Sequence, residues 1–231
     1  MAGGMKALVI DDDDGIRRFL RIGLKIEGYD VVEAVDAAEG LRLLGARRPE
    51  LVILDLGLPD LDGQELVPAI RGVSQALLIV LSVRDSQAEK IRALDNGADD
   101  YLTKPFDFGE LAARIRAFRR KAWRSDERGR LVAGQLTLDP ADHGVRLGES
   151  RLELTPKEFE LLRLLMQHRD KLVAHRECLD QIWGPGHAHD TAYLRVYIQR
   201  LRKKLTDAGD HPGRIVSQPG VGYRLASQPQ G

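Results

Sequence analysis

The sequence predicts a doubly wound α/β domain with a five-stranded parallel sheet, followed by a smaller α+β domain. Three observations carry this. Short apolar runs alternate with stretches of helical period through the first half of the 231 residues. From Ala122 to Arg130 that periodicity gives way to polar and charged sequence. Beyond it come closely spaced short runs broken by Gly- and Asp-containing turns, then helical segments and a terminal hairpin. The expected boundaries are residues 5–122 for the first domain, 123–130 for a linker and 131–226 for the second domain.

In the first domain the strands are expected at Ala7–Ile10, Val31–Val32, Leu51–Leu54, Leu77–Leu81 and Tyr101–Thr103. Ile16, Phe19, Leu20 and Leu24 mark the first helix, and Leu111, Ile115 and Phe118 the last. Five βα repeats put helices on both faces of a parallel sheet. In the second domain Leu131–Val132, Leu136–Leu138, Val145–Leu147 and Leu152–Leu154 suggest a small antiparallel sheet. Thr155, Pro156 and Glu158 then form a helix-start signal: a cap, a proline at the first helical position and the closing acid of a capping box. A short helix is expected near Arg176–Trp183, stopped by Gly184-Pro185-Gly186. In a third helix Leu194, Ile198, Leu201 and Leu205 recur at helical spacing, which turns Arg195, Gln199 and Lys203 outward. The chain closes with a hairpin around Pro219-Gly220-Val221-Gly222.

With 43% hydrophobic and 30% charged residues the composition is that of a globular protein, and no apolar run approaches the roughly 20 residues that cross a bilayer. Met1-Ala2-Gly3-Gly4 carries neither the basic nor the apolar region of a secretory signal, so a cytosolic protein is expected. Cys178, the single cysteine, excludes an internal disulfide and reads as a small buried hydrophobe. Net charge is zero, but residues 1–122 carry 18 basic and 21 acidic side chains against 17 and 14 in residues 123–231. Thr191–Lys204 holds Arg195, Arg200, Arg202, Lys203 and Lys204 and no acid.

In an open parallel sheet, functional groups gather beyond the carboxyl ends of the strands. Asp11 and Asp12 follow the first strand and Asp55 ends the third run. Three carboxylates at close range repel one another unless a dication sits among them, and Mg2+ suits hard oxygen ligands. Lys104 and Ser82, after the fifth and fourth strands, are placed to neutralise and hydrogen-bond an added phosphoryl group. Asp after a strand is often only a turn former or cap, and Asp13 and Asp14 read that way. Four strand ends with matching chemistry argue for a site.

Asp11-Asp12, Leu54-Asp55-Leu56-Gly57-Leu58-Pro59-Asp60-Leu61-Asp62-Gly63, Ser82 and Tyr101-Leu102-Thr103-Lys104-Pro105-Phe106 make residues 5–122 resemble a response-regulator receiver domain of flavodoxin-like fold. The resemblance implies that Asp55 accepts a phosphoryl group from a sensor histidine kinase and that the chain itself is no enzyme. It further implies that Asp12, Asp55 and the Gly57 carbonyl ligate Mg2+ directly and Asp11 through water. Lys104 would pair with the phosphoryl group, Ser82 and Tyr101 would form a switch, and Lys104-Pro105 would be cis.

Leu154-Thr155-Pro156-Lys157-Glu158-Phe159, Trp183-Gly184, Arg200–Leu205 and Gly220–Arg224 make residues 131–226 resemble the winged helix-turn-helix output domain of the OmpR/PhoB class. That implies promoter DNA and RNA polymerase as partners. Tyr193, Arg195, Tyr197, Gln199, Arg200 and Lys203 are expected to face DNA; because Pro219 stands where some relatives have a basic residue, the wing's minor-groove contact either falls to Arg224 or is absent. Class resemblance also implies a homodimer of phosphorylated chains around Ile91, Leu94 and Ala113. In it Lys90 would pair with Glu110, and Asp100, beside Asp99, with Arg114. Gly15–Arg21, Leu56–Pro59 and Tyr193–Tyr197 with Leu201-Arg202 are most similar to regulators of an inducible potassium-uptake system, implying a KdpD-like sensor kinase and a potassium-transport promoter. Two other readings stand beside this one: a constitutive DNA-binding protein whose first domain is a dimerisation scaffold, and a Mg2+-dependent aspartyl phosphohydrolase. The second fits poorly, because such enzymes place the nucleophile after the first strand.

Overall fold

A computed structural model describes residues 5–123, with backbone alone over 118–123, then 129–184, 187 and 190–227. The chain divides into two compact units, Met1–Ala113 and Arg114–Gly231. Residues 124–128 of the expected linker lie outside the described residues.

Five strands, β1 (Met5–Ile10), β2 (Tyr29–Ala34), β3 (Leu51–Asp55), β4 (Leu77–Ser82) and β5 (Asp100–Thr103), form one parallel sheet in the order β2-β1-β3-β4-β5. Helices α1 (Asp14–Ile26), α2 (Ala37–Arg47), α3 (Gly63–Val73), α4 (Gln87–Asn96) and α5 (Phe108–Trp123) connect and follow them. All residues of β3 and β4 are buried, as continuous apolar runs demand of strands covered on both faces. Each buried Leu, Val or Ile there contributes about 1.5–3 kcal/mol through loss of apolar hydration. Side-chain caps start four of the helices: Asp13, Asp36, Asp62 and Ser86 each accept a backbone N–H from the first turn.

On α1, Leu20 and Leu24 are buried, but Phe19 is 47% exposed. Its ring stands at the rim against Phe106 and Phe108, with centroids 6.2 and 5.9 Å apart. On α5, Leu111 and Ile115 are buried, while the Phe118 side chain lies outside the described residues.

Beyond α5, whose later part already belongs to the second unit, comes a four-stranded antiparallel sheet, β6 (Leu131–Ala133), β7 (Leu136–Asp139), β8 (Gly144–Leu147) and β9 (Ser150–Leu152). The last strand starts two residues earlier than the sequence suggests. Gly148, at φ +55°, turns the chain within two residues, so Ser150 already pairs with Leu147 and residues 153–154 lead into the helix cap. Helix α6 (Pro156–Gln167) begins with the expected capping box, and α7 (His175–Ile182) and α8 (Thr191–Asp207) follow. The closing hairpin, β11 (Ile215–Gln218) with β12 (Gly222–Leu225), gains a third strand that sequence pattern misses: β10 (Val173–Ala174), two residues long and so without a readable period. Gly222 is required by this pairing, since a Cβ there would sit 2.0 Å from the Val173 carbonyl oxygen.

Candidate functional site: the carboxylate cluster and the basic helix

The β1, β3, β4 and β5 ends bring Asp11, Asp55, Ser82 and Lys104 to one edge of the sheet. Carboxylate oxygens of Asp11, Asp12 and Asp55 lie within 4.8 Å of one another. Lys104 Nζ sits between two of them, 2.8 Å from Asp11 Oδ2 and 3.0 Å from Asp55 Oδ2. Burial works against the Lys104 charge, but the two carboxylates outweigh it and raise the ammonium above its ordinary range. Burial pushes the Asp11 carboxyl up, against the lowering hydrogen bonds from Lys104 and the Asp13 N–H, and the Asp55 charge adds to the rise. Asp12 is exposed. Hard oxygen donors converging this closely, with one ammonium for three acids, fit a small dication.

The turn after Asp55 is shaped by Gly63, whose N–H donates to the Leu56 carbonyl at 3.1 Å. A Cβ at Gly63 would fall 2.5 Å from Leu56 Cα and 2.7 Å from the Asp55 carbonyl oxygen, so only glycine lets the loop fold back. Gly57 is exposed beside Asp55, on the same loop. The Lys104-Pro105 peptide is cis, as expected.

Ser82 is buried, and its Oγ accepts the Arg84 N–H at 3.1 Å. Tyr101 is also buried, with burial pushing its phenol up, and it donates to the Arg84 carbonyl. Both switch candidates therefore bond to the backbone of one residue. The Arg84 side chain reaches on to Asp62 Oδ2 at 3.1 Å and Glu89 Oε2 at 3.4 Å. No sequence signal identified Arg84 as this junction. Arg17, buried on α1, was missed as well: its guanidinium donates to the Asp11 carbonyl at 2.8 Å.

The expected dimer surface needs correction at three positions. Leu94 is wholly buried. Asp99 is buried too, paired with Arg71 and accepting the Leu78 N–H at 2.9 Å. Asp100 is 1% exposed and accepts the Tyr101 N–H at 2.8 Å. An Asp-Asp pair before a strand reads as surface charge, but these acids fasten the start of β5. At the surface of the expected patch are Glu110 and Ala113, with Lys90, Ile91 and Arg114 half-buried.

In the second unit the charge run on α8 divides by helical phase. Arg195, Gln199 and Lys203, spaced four apart, are exposed along one face. Arg202 Nε and Nη2 hold the Ile215 carbonyl at 3.0 and 2.7 Å, tying α8 to the hairpin. Lys204 Nζ bonds Glu158 Oε2 at 2.6 Å and the Glu153 carbonyl at 2.8 Å, tying α8 to the start of α6. Tyr193 and Tyr197, expected to face DNA, are buried instead. With Leu201 they extend the inner stripe at i, i+4 spacing, and Trp183 packs edge-on against Tyr197 at 5.0 Å between centroids. Arg200, also expected to face DNA, turns over the Tyr197 ring at 5.2 Å, with both terminal nitrogens enclosed. Arg224 is half-buried in β12 opposite Val216. His175, which sequence reasoning did not single out, opens α7 beside Tyr223, and burial, with Arg195 adding, holds its imidazole below the ordinary range. Cys178 is fully buried, its thiol pushed up to about 12 by burial. Among the described residues no helix is long and apolar enough to cross a membrane.

Comparison with known proteins matches residues 7–116 to the response regulator receiver domain and residues 148–225 to the family described as transcriptional regulatory protein, C terminal. Transcriptional regulatory protein KdpE of Mycobacterium tuberculosis is 43% identical over 220 residues, covering 94% of this chain and 97% of that protein. The KDP operon transcriptional regulatory protein KdpE of Escherichia coli is 42% identical over 219 residues, with the same coverage of 94% and 97%. Response regulator MprA of Mycobacterium tuberculosis is 39% identical over 228 residues, covering 97% and 99%. Among solved structures, a RitR mutant superposes with a TM-score of 0.75 at 26% identity over 96% of this chain and 99% of that one. DrrB, a Thermotoga maritima OmpR/PhoB homolog, gives 0.51 at 29% identity over 96% and 99%.

Proposed function

Because the chain belongs to the response regulators of two-component systems, with the winged-helix DNA-binding domain of the OmpR/PhoB class, we propose that phosphorylation of Asp55 controls its binding to promoter DNA. The observation that carries this reading is Lys104, held between Asp11 and Asp55 at the mouth of a three-carboxylate cluster. An Asp55 carboxylate oxygen attacks phosphorus as the bond to the donor imidazole breaks, and the imidazole leaves with the electron pair. Lys104 then faces the new phosphoryl group as a point charge, and Ser82 turns its hydroxyl toward it. Asp11, Asp12, Asp55 and the Gly57 carbonyl would hold Mg2+, which when bound supplies charge neutralisation at the carboxylates and phosphoryl oxygens. Labelling by a small-molecule phosphodonor is therefore expected to stop when divalent cations are chelated and to return when Mg2+ is added. Labelling that persists under chelation contradicts the cation's part in it.

Movement of Ser82 and Tyr101, relayed through Arg84, favours a homodimer in which Lys90 faces Glu110 of a second copy, around Ile91 and Ala113 with Arg114 at the edge. A symmetric interface forms each pair twice, so small energies add. Lys90→Glu should keep the phosphorylated chain monomeric in sedimentation, and Lys90→Glu with Glu110→Lys should restore the dimer. Dimerisation of Lys90→Glu like its parent rules this interface out. The dimer would present two α8 helices, each through Arg195, Gln199 and Lys203, to adjacent half-sites and recruit RNA polymerase there. The domain limits 5–122 and 131–226, joined by 123–130, suit that arrangement. Similarity to the two KdpE proteins supports a potassium-transport promoter and a KdpD-like sensor kinase; a genomic footprint of the phosphorylated chain that omits potassium-transport genes would reject the target.

A further inference from the structure

We infer that Arg17 is a positioning residue of the cation site, fixing the Asp11–Asp12 peptide plane and so aiming the Asp12 carboxylate. The inference rests on the reading that Asp11, Asp12 and Asp55 hold Mg2+. Arg17 lies on α1, 8% exposed. Its Nη1 donates to the Asp11 carbonyl at 2.8 Å, its Nη2 to Asp14 Oδ1 at 3.1 Å, and its Nε lies 3.8 Å from Glu33 Oε2 on β2. The Asp11 N–H donates to the Ala34 carbonyl at 3.2 Å. Both peptide groups of Asp11 are therefore held, one by β2 and the other by Arg17.

Asp11 has further anchors, because its carboxylate accepts the Asp13 N–H at 3.0 Å and Lys104 Nζ at 2.8 Å. Asp12 has none of these: it is exposed, and no hydrogen bond from the described residues holds its carboxylate. The direction in which its Cβ leaves the chain is set by the backbone, through ψ of Asp11 and φ of Asp12. Those are the two torsions flanking the peptide whose oxygen Arg17 grips. A ligand without anchors of its own depends on what orients its backbone, and partners that orient ligands typically matter by 10- to 100-fold in metal affinity.

The same guanidinium also makes contacts that do not reach the cation site. Asp14 is 88% exposed, and Glu33 is held independently by Arg21 at 3.0 Å. This separates a positioning role from a merely structural one. Mg2+ titration calorimetry on the full chain, with thermal unfolding as control, is expected to show the Kd of Arg17→Gln raised about ten-fold or more. Asp14→Asn, which loses an exposed ion pair of the same guanidinium, should stay within about two-fold of the parent. Phosphodonor labelling of Arg17→Gln should recover at saturating Mg2+. An unchanged Kd in folded Arg17→Gln overturns the inference, as does equal weakening by Asp14→Asn. Should Arg17→Gln fail to fold, Arg17→Met keeps the volume of the buried stem and carries the same expectation. Asp12→Ala distinguishes the two levels: if it leaves the parent's Mg2+ affinity unchanged, the cation-site reading itself fails. If it weakens binding while Arg17→Gln does not, only the role of Arg17 fails.

Discussion

Asp55→Asn is expected to abolish incorporation of phosphate from a small-molecule phosphodonor, taking labelling from one phosphoryl group per chain to none. The carboxylate oxygen is the nucleophile, and the amide that replaces it is nearly the same size but carries no charge to attack phosphorus. Fold should survive. Asp55 shares Lys104 with Asp11, so the ammonium keeps one carboxylate partner at 2.8 Å after the exchange. Removing one of three mutually repelling acids also relieves strain on the other two. Thermal unfolding should thus shift by no more than about 1 kcal/mol in stability, the usual size of a single substitution. Mass spectrometry of both proteins after phosphodonor treatment reads the result, and one phosphoryl group on Asp55→Asn would remove Asp55 from its role.

The second large effect is expected on α8, where Arg195→Ala should cost about 1–3 kcal/mol of specific DNA affinity and relax specificity at one base position. Arg195 is chosen over Arg200 because it stands on the exposed face, whereas the Arg200 guanidinium is enclosed against Tyr197. Lys203→Ala, two turns further along the same face, should weaken all DNA sequences about equally and lower the salt slope by about one. Competition binding across single-base variants of the site, at several salt concentrations, separates the two. Identical specificity profiles for both variants would contradict the division between base reading and phosphate contact.

The carboxylate site was legible in the sequence because each of its groups sits at a strand end, and strand ends in a parallel sheet converge by topology. Asp11, Asp55, Ser82 and Lys104 needed only the β1-β3-β4-β5 adjacency to meet. The bracing residues were not legible. Arg17 acts through a backbone carbonyl, and Arg84 through its own peptide groups, and neither interaction leaves a pattern in residue types. On α8 the period correctly turned Leu194, Ile198, Leu201 and Leu205 inward. It misjudged the width of that stripe, because tyrosine is apolar over most of its surface and packs inside when an aromatic partner such as Trp183 is present. The run of cations gave no sign that Arg202 and Lys204 tie the helix to the hairpin and to α6, because their partners lie outside the helix. Asp99 and Asp100 show the same lesson for acids: Arg71, 28 residues earlier, makes Asp99 an interior anchor, a pairing no local pattern announces.

Phosphorylation at Asp55 should bring a rise in affinity for promoter DNA. This is tested most directly by equilibrium binding of the full chain to one DNA site, with and without phosphodonor and Mg2+, alongside Asp55→Asn. Expected are tighter binding of the parent after treatment, a dependence on protein concentration that reflects dimer formation, and no response in Asp55→Asn. Equal affinity of treated and untreated parent would contradict control by phosphorylation and leave the first domain as a scaffold for a constitutive DNA-binding protein.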